Sequence, residues 1–227
     1  MATTELNDRT NQNSHPAPGN ADSGGMIGPY CYGGLPYVMT AGGRIVSLSQ
    51  PPGDVLPADQ GLLEWNFDPA TANSTGTLMV NGTVYLQRIN IRVPTLITNI
   101  WAHLTNLAVT PVSSQSAAGL YNAAGTLLSG SADTGTILST TAGPISMPLS
   151  SPQNVGTGYY WTALMCNAST AAKLAASPNA ATFANTNLTA ATYRFATGGL
   201  TQTSLPSTIT PSANAQATAL TFWVGVS

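Results

Sequence analysis

The chain has 227 residues and a mass of 23.2 kDa, long enough to bury a core without disulfide or metal staples. Only 6% of its residues are charged, against roughly a quarter in an ordinary soluble domain, so neutral Ser, Thr, Asn and Gly must keep it in solution. A net charge of −2 provides no basic footprint for nucleic acid, and no apolar run nears the roughly 18 residues of a membrane span, which excludes both polynucleotide binding and a transmembrane helix.

The first 70 residues carry seven acids and two bases, whereas residues 71–227 carry one acid and four bases. Half of the 16 prolines and 10 of the 22 glycines also fall in that first part, which shows little sustained periodicity. Met1–Arg9 lacks the basic end and apolar stretch of a secretory signal, so folding in a cytoplasm is expected. Residues 1–75 read as an extended arm. Met26–Met39 contains Tyr30, Tyr32 and Tyr37 among glycines and prolines, and Leu62–Phe67 contains Trp65 and Phe67. Large rings in a segment that cannot build its own core need a surface to bury against, so these five are the candidate anchoring residues. Arg44–Leu48 can add a short strand.

From residue 76 onward, short β runs alternate with turn signals. Thr77–Val80 comes first. In Thr83–Val93, Ile89, Ile91 and Val93 share one face and Arg88, Asn90 and Arg92 the other, the signature of a half-buried strand. Leu96–Leu104 places Leu96, Ile100, Ala102 and Leu104 on a common side. Ala117–Tyr121 turns through Asn122-Ala-Ala-Gly125 into Thr126–Leu128, a hairpin-like signal. Ile145, Met147 and Leu149 alternate, as do Tyr159, Trp161, Ala163 and Met165. Tyr160 then faces outward as a candidate for surface recognition. The alanine-rich run Ala168–Ala176, stopped by Pro178, predicts two helical turns. Ala219–Val226 closes the chain with Phe222, Val224 and Val226 on one face. About eight strands without intervening helices predict an all-β fold, an antiparallel jelly-roll-like sandwich over residues 76–227.

Chemistry is scarce. His15 lies in the polar arm and His103 in a strand, and Asp133 is the only acid after Asp68, so neither a nucleophilic triad nor a pair of glycosidase carboxylates is readily assembled. Two histidines and two cysteines, Cys31 and Cys166, match no zinc spacing, and no phosphate-binding glycine motif sits between a strand and a helix. No catalytic, metal or cofactor residue is therefore assigned, and the cysteines are expected to stay reduced. Four Asn-x-Ser/Thr sequons, at Asn73, Asn81, Asn167 and Asn187, match the roughly four that random order would produce, and carry no information about secretion.

Three segments recur in a familiar order: Gly119-Leu-Tyr-Asn-Ala-Ala-Gly-Thr-Leu-Leu128, Gly158-Tyr-Tyr-Trp-Thr-Ala-Leu-Met-Cys-Asn167 and Leu188-Thr-Ala-Ala-Thr-Tyr-Arg-Phe-Ala-Thr197. With Val84–Val93 and Ile97–Trp101 before them, and Leu205–Ile209 and Phe222–Val224 after, residues 76–227 resemble the small β-domain of minor tail proteins of tailed phages that infect actinobacteria. The resemblance implies a virion structural protein assembled in the host cytoplasm, a homotrimeric jelly roll at a tail tip or on a fibre, with contact to a host cell-surface glycan. It implies no catalytic residues or cofactor. Other virion proteins would be partners of the arm, residues 1–75, which resembles nothing. A capsid decoration or head fibre is the nearest alternative, a carbohydrate-binding module comes from a second class, and a cell-wall hydrolase from a third is disfavoured by the missing acids and histidines. The closing strand leaves Trp223 opposite Phe222, which suggests aromatic contacts at a trimer axis.

Overall fold

The computed structural model describes residues 55–216 and 220–227 together with the backbone of 26–32, 35–40 and 45–47. The chain divides into two compact units, Met1–Val55 and Leu56–Ser227. In the first, β1 (Met26–Tyr32), β2 (Leu35–Thr40) and β3 (Ile45–Ser47) form an antiparallel three-stranded sheet in sequence order. The stretch read as an extended arm thus contains three paired strands, with Tyr30 opposite Tyr37.

The second unit is an antiparallel all-β sandwich. Its elements are β4 (Glu64–Trp65), β5 (Asn73–Leu78), β6 (Val84–Ile91), β7 (Thr95–Asn106), β8 (Val109–Pro111), β9 (Ala117–Tyr121), β10 (Leu127–Gly130), α1 (Gly135–Thr140), β11 (Gly143–Val155) and β12 (Gly158–Met165). They continue as β13 (Ala168–Thr170), β14 (Lys173–Ala180), α2 (Ala181–Ala184), β15 (Phe195–Gly199), β16 (Ala215–Gln216), β17 (Leu220–Phe222) and β18 (Val224–Val226). One sheet runs β10-β9-β12-β6-β15-β16; the other runs β17-β14-β7-β18-β4, with β11 paired to β7 and β5 to β14. Successive long strands alternate between the sheets, β6 in one, β7 in the other, β9 back in the first, β11 in the second, which is the jelly-roll-like way of closing two layers. The eight expected strands become fifteen because several pairings are only two or three residues long and leave no periodic trace.

Between the sheets, Tyr85, Ile89, Ile91, Leu120 and Leu164 from one layer meet Ile97, Ile100, Leu104, Met147, Leu174, Phe222 and Val224 from the other. Each such apolar side chain contributes about 1.5–3 kcal/mol on burial. The Tyr85 and Phe222 rings meet edge-on at 4.8 Å across the layers. A second core covers the outer face of the six-stranded sheet, where Val84, Leu86, Tyr121, Trp161, Ala163, Met165 and Ala196 lie with Ile209 and Leu205. The Tyr121 hydroxyl donates to the Pro206 oxygen at 2.7 Å and helps fix that covering segment.

Several local expectations are corrected. Ala168–Ala176 is β13 and the start of β14, not a helix. Alanine's helix preference is weak, and Leu174 and Ala176 bury in the inter-sheet core while the backbone pairs with β5, β7 and β17. Leu96 is 45% exposed and Ile97 takes its place inside. The cause is an irregularity in the β7–β11 register, where the N–H groups of Thr98 and Asn99 both donate to the Ser227 oxygen, shifting the side-chain alternation by one. Val93 lies past the end of β6 and is exposed.

Candidate functional site

The candidate anchoring residues fall on both sides of the unit boundary. Tyr30, Tyr32 and Tyr37 lie in β1 and β2, and their side chains are outside the described residues. Trp65 and Phe67 belong to the sandwich itself, since the compact unit starts at Leu56 rather than at residue 76. Trp65 sits in β4, opposite Gly225 of β18, and the Phe67 ring meets Phe195 edge-on at 6.3 Å. Between them Asn66 is buried, donating Nδ2–H to the Phe222 oxygen at 2.7 Å and accepting the Val224 N–H at 3.0 Å. The Phe67 ring is used internally.

Trp223, expected at a trimer axis, is 6% exposed and donates its indole N–H to the Phe67 oxygen. It is covered by the chain's own 62–67 segment and offers no ring to a neighbour. Tyr160, the candidate for surface recognition, is half-buried against the inter-sheet core, and its hydroxyl donates to the Gly156 oxygen at 3.3 Å. The reason is parity: β12 turns Tyr159 and Trp161 to the outer core, so Tyr160 must point between the sheets.

Two constellations were invisible in sequence. The first is a pair of arginines. Arg88 on β6 donates its backbone N–H to the Arg194 oxygen just before β15, which sets two cations on neighbouring strands. Burial, then the Arg194 charge, lowers the Arg88 pKa below the usual arginine value. The Arg88 guanidinium lies 5.5 Å from the Tyr159 ring centroid and donates to the Thr192 oxygen, while Arg194 donates to the Asn66 oxygen at 3.1 Å. Arg92 instead pairs with Glu64 at 3.4 Å. Among the described residues neither Arg88 nor Arg194 has an acidic partner.

The second is an open groove of about 240 Å³ where four connections converge: Asn81 and Gly82 after β5, Val112 and Gln115 before β9, Asn167 and Ala168 after β12, and Thr201, Gln202 and Thr203 after β15. Its frame is hydrogen-bonded. Asn81 donates Nδ2–H to the Ala168 oxygen at 2.7 Å and accepts the Ala168 N–H at 3.2 Å, while Asn167 Nδ2 donates to the Gln202 oxygen at 2.8 Å and to Gln115 Oε1 at 3.3 Å. Gly82 is required here. Its φ is +72°, and a Cβ would stand 2.8 Å from the Thr201 Cα, so glycine lets the 201–203 wall approach. The lining holds no ionisable side chain. Nothing in sequence marks the groove, because each contribution comes from a separate loop.

Among the described residues no three His, Cys, Asp or Glu side chains gather to hold a metal. Asp133 is occupied with its own loop, accepting the Ser114 and Gly135 N–H groups at 2.7 and 3.0 Å, and His103 is exposed on β7. Cys166 is buried and free, while Cys31 has no described side chain. No described helix is long and apolar enough to cross a membrane. No protein-family model matches the chain, and no curated protein matches it either.

Proposed function

We propose that the chain is a structural subunit of a tailed-phage particle, in the tail or its tip, assembled in the host cytoplasm and carried in the virion. The observation that supports this most is the set of three segments behind the resemblance. Gly119–Leu128 builds the β9–β10 hairpin, Gly158–Asn167 builds β12 and Leu188–Thr197 leads into β15, so all three serve one six-stranded sheet rather than scattering through the fold. A sandwich with a neutral, hydroxyl- and amide-rich surface suits a subunit packed among others, since it places few charges that association would have to strip of water.

In this reading the first unit, with Tyr30, Tyr32 and Tyr37, carries the attachment to other virion proteins. Self-association as a homotrimer belongs to the same proposal. It would rest on exposed aliphatics such as Leu78, Val80 and Val109 rather than on Trp223. Reconstruction of intact particles, with the chain's density assigned, is the test. Density at the tail or tip supports the proposal. Density on the capsid replaces it with a decoration or head-fibre role, and absence from purified particles overturns any structural role.

A further inference from the structure

We infer that the groove between Asn81, Gln115, Asn167 and the 201–203 wall is a binding site for a neutral saccharide unit. The inference concerns this chain's own groove and stands whether the chain lies in a tail or on a head.

Bonding to main-chain carbonyls fixes which end of each framing amide is nitrogen: Asn81 Nδ2 donates to Ala168 and Asn167 Nδ2 to Gln202. Asn167 in turn donates to Gln115 Oε1, which leaves both hydrogens of Gln115 Nε2 for the groove. Gln202 Nε2 donates to the Leu200 oxygen at 2.9 Å, which leaves its Oε1. Together with Asn167 Oδ1 and the Thr203 hydroxyl, these atoms have no hydrogen-bond partner among the described residues. They form an uncharged set that mixes donors with acceptors.

A sugar hydroxyl both donates and accepts, so neighbouring hydroxyls of one ring can meet such a set in full. Val112 and Ala168 supply an aliphatic wall for the C–H face of a ring, and about 240 Å³ of open space suits a single ring better than a larger ligand. An anionic ligand has no cation here to recognise it. An extended peptide, recognised by strand addition, needs free main-chain groups. Three N–H groups on the walls are already used: Val112 N–H donates to the Asn167 oxygen at 2.8 Å, Gln202 N–H to the Gly82 oxygen at 2.8 Å and Ala168 N–H to Asn81. The frame is therefore preorganised for side-chain recognition, which lowers the ordering cost of binding a small ligand.

The test is a titration of the isotope-labelled full chain with glucose, galactose, mannose, rhamnose and N-acetylglucosamine in turn, following the side-chain amide signals of Asn81, Gln115, Asn167 and Gln202 by NMR. The expected result is saturable movement of the Gln115 and Asn167 signals with at least one sugar at millimolar concentration. Its affinity should not change between low and physiological salt. Thr203→Trp fills the groove without touching the framing bonds and should weaken binding by about tenfold or more, with the thermal midpoint unchanged. Gln115→Glu, which keeps an acceptor oxygen for Asn167 but replaces the free amide hydrogens with a second acceptor, should weaken it by a similar factor. No saturable shift with any of the five sugars overturns the inference, as does binding that Thr203→Trp leaves intact. Displacement of the same signals by unstructured peptides and not by sugars overturns it in favour of a peptide site.

Discussion

The Trp223 indole donates its Nε1–H to the main-chain oxygen of Phe67 at 3.0 Å, tying together positions 156 residues apart. With the two Asn66 bonds to Phe222 and Val224 it makes the 62–67 segment part of the sandwich, as the pairing of β4 with β18 also does. A chain starting at residue 56 keeps all of these contacts and should fold. A chain starting at residue 76 leaves the Trp223 N–H, the Val224 N–H and the Phe222 carbonyl without partners, and exposes Trp223 and Phe195. At about 0.5–1.5 kcal/mol net for each lost hydrogen bond and about 1.5–3 kcal/mol for each ring returned to water, the loss should exceed about 4 kcal/mol. Thermal unfolding of both truncations checks this, and equal midpoints would refute it.

Burial raises the pKa of the Cys166 thiol and of the Tyr85 and Tyr121 hydroxyls. For each group the unfolded chain loses its proton at a lower pH than the folded one. The stabilisation is therefore complete below the unfolded values, about 8.5 for cysteine and 10 for tyrosine, and declines as the pH rises through them. Urea midpoints should be level from pH 7 to about 8 and fall progressively above about 9. Replacing Cys166 with Ala should remove the earliest part of that fall, and an unchanged profile in the variant would show that the thiol does not contribute.

The arginine pair makes a claim about salt. Like charges on neighbouring strands destabilise by up to about 1 kcal/mol when unscreened. Moderate salt should raise the stability of the wild-type protein, and the rise should shrink in Arg194→Gln, which keeps an amide able to donate to the Asn66 oxygen. Unfolding at low and high sodium chloride provides the comparison. A variant whose salt response equals that of the wild type would mean that the two guanidinium groups do not repel measurably.

The β character of the chain is written locally. Ile145, Met147 and Leu149 alternate in the sequence and bury together, Tyr159, Trp161, Ala163 and Met165 share one face of β12, and Asn122-Ala-Ala-Gly125 makes the turn of a hairpin. A period of two is a property of neighbours, so it can be read without knowing what a strand packs against. The scarcity of charge is likewise a property of composition.

What depended on distant segments could not be read in this way. Ala168–Ala176 has helix-favouring residues, yet partners on three other strands and burial on the inter-sheet core outweigh a preference worth only fractions of a kcal/mol per residue. Trp223 and Tyr160 carry no local mark of their covering partners. The arginine pair and the amide groove exist only where separate loops and strands meet, because a site's geometry is set by which elements the closed sheets bring side by side. Sequence determined the regularly alternating strands and the scarcity of charge. Tertiary pairing decided which rings stay exposed and where hydrogen-bonding groups are left free to meet a ligand.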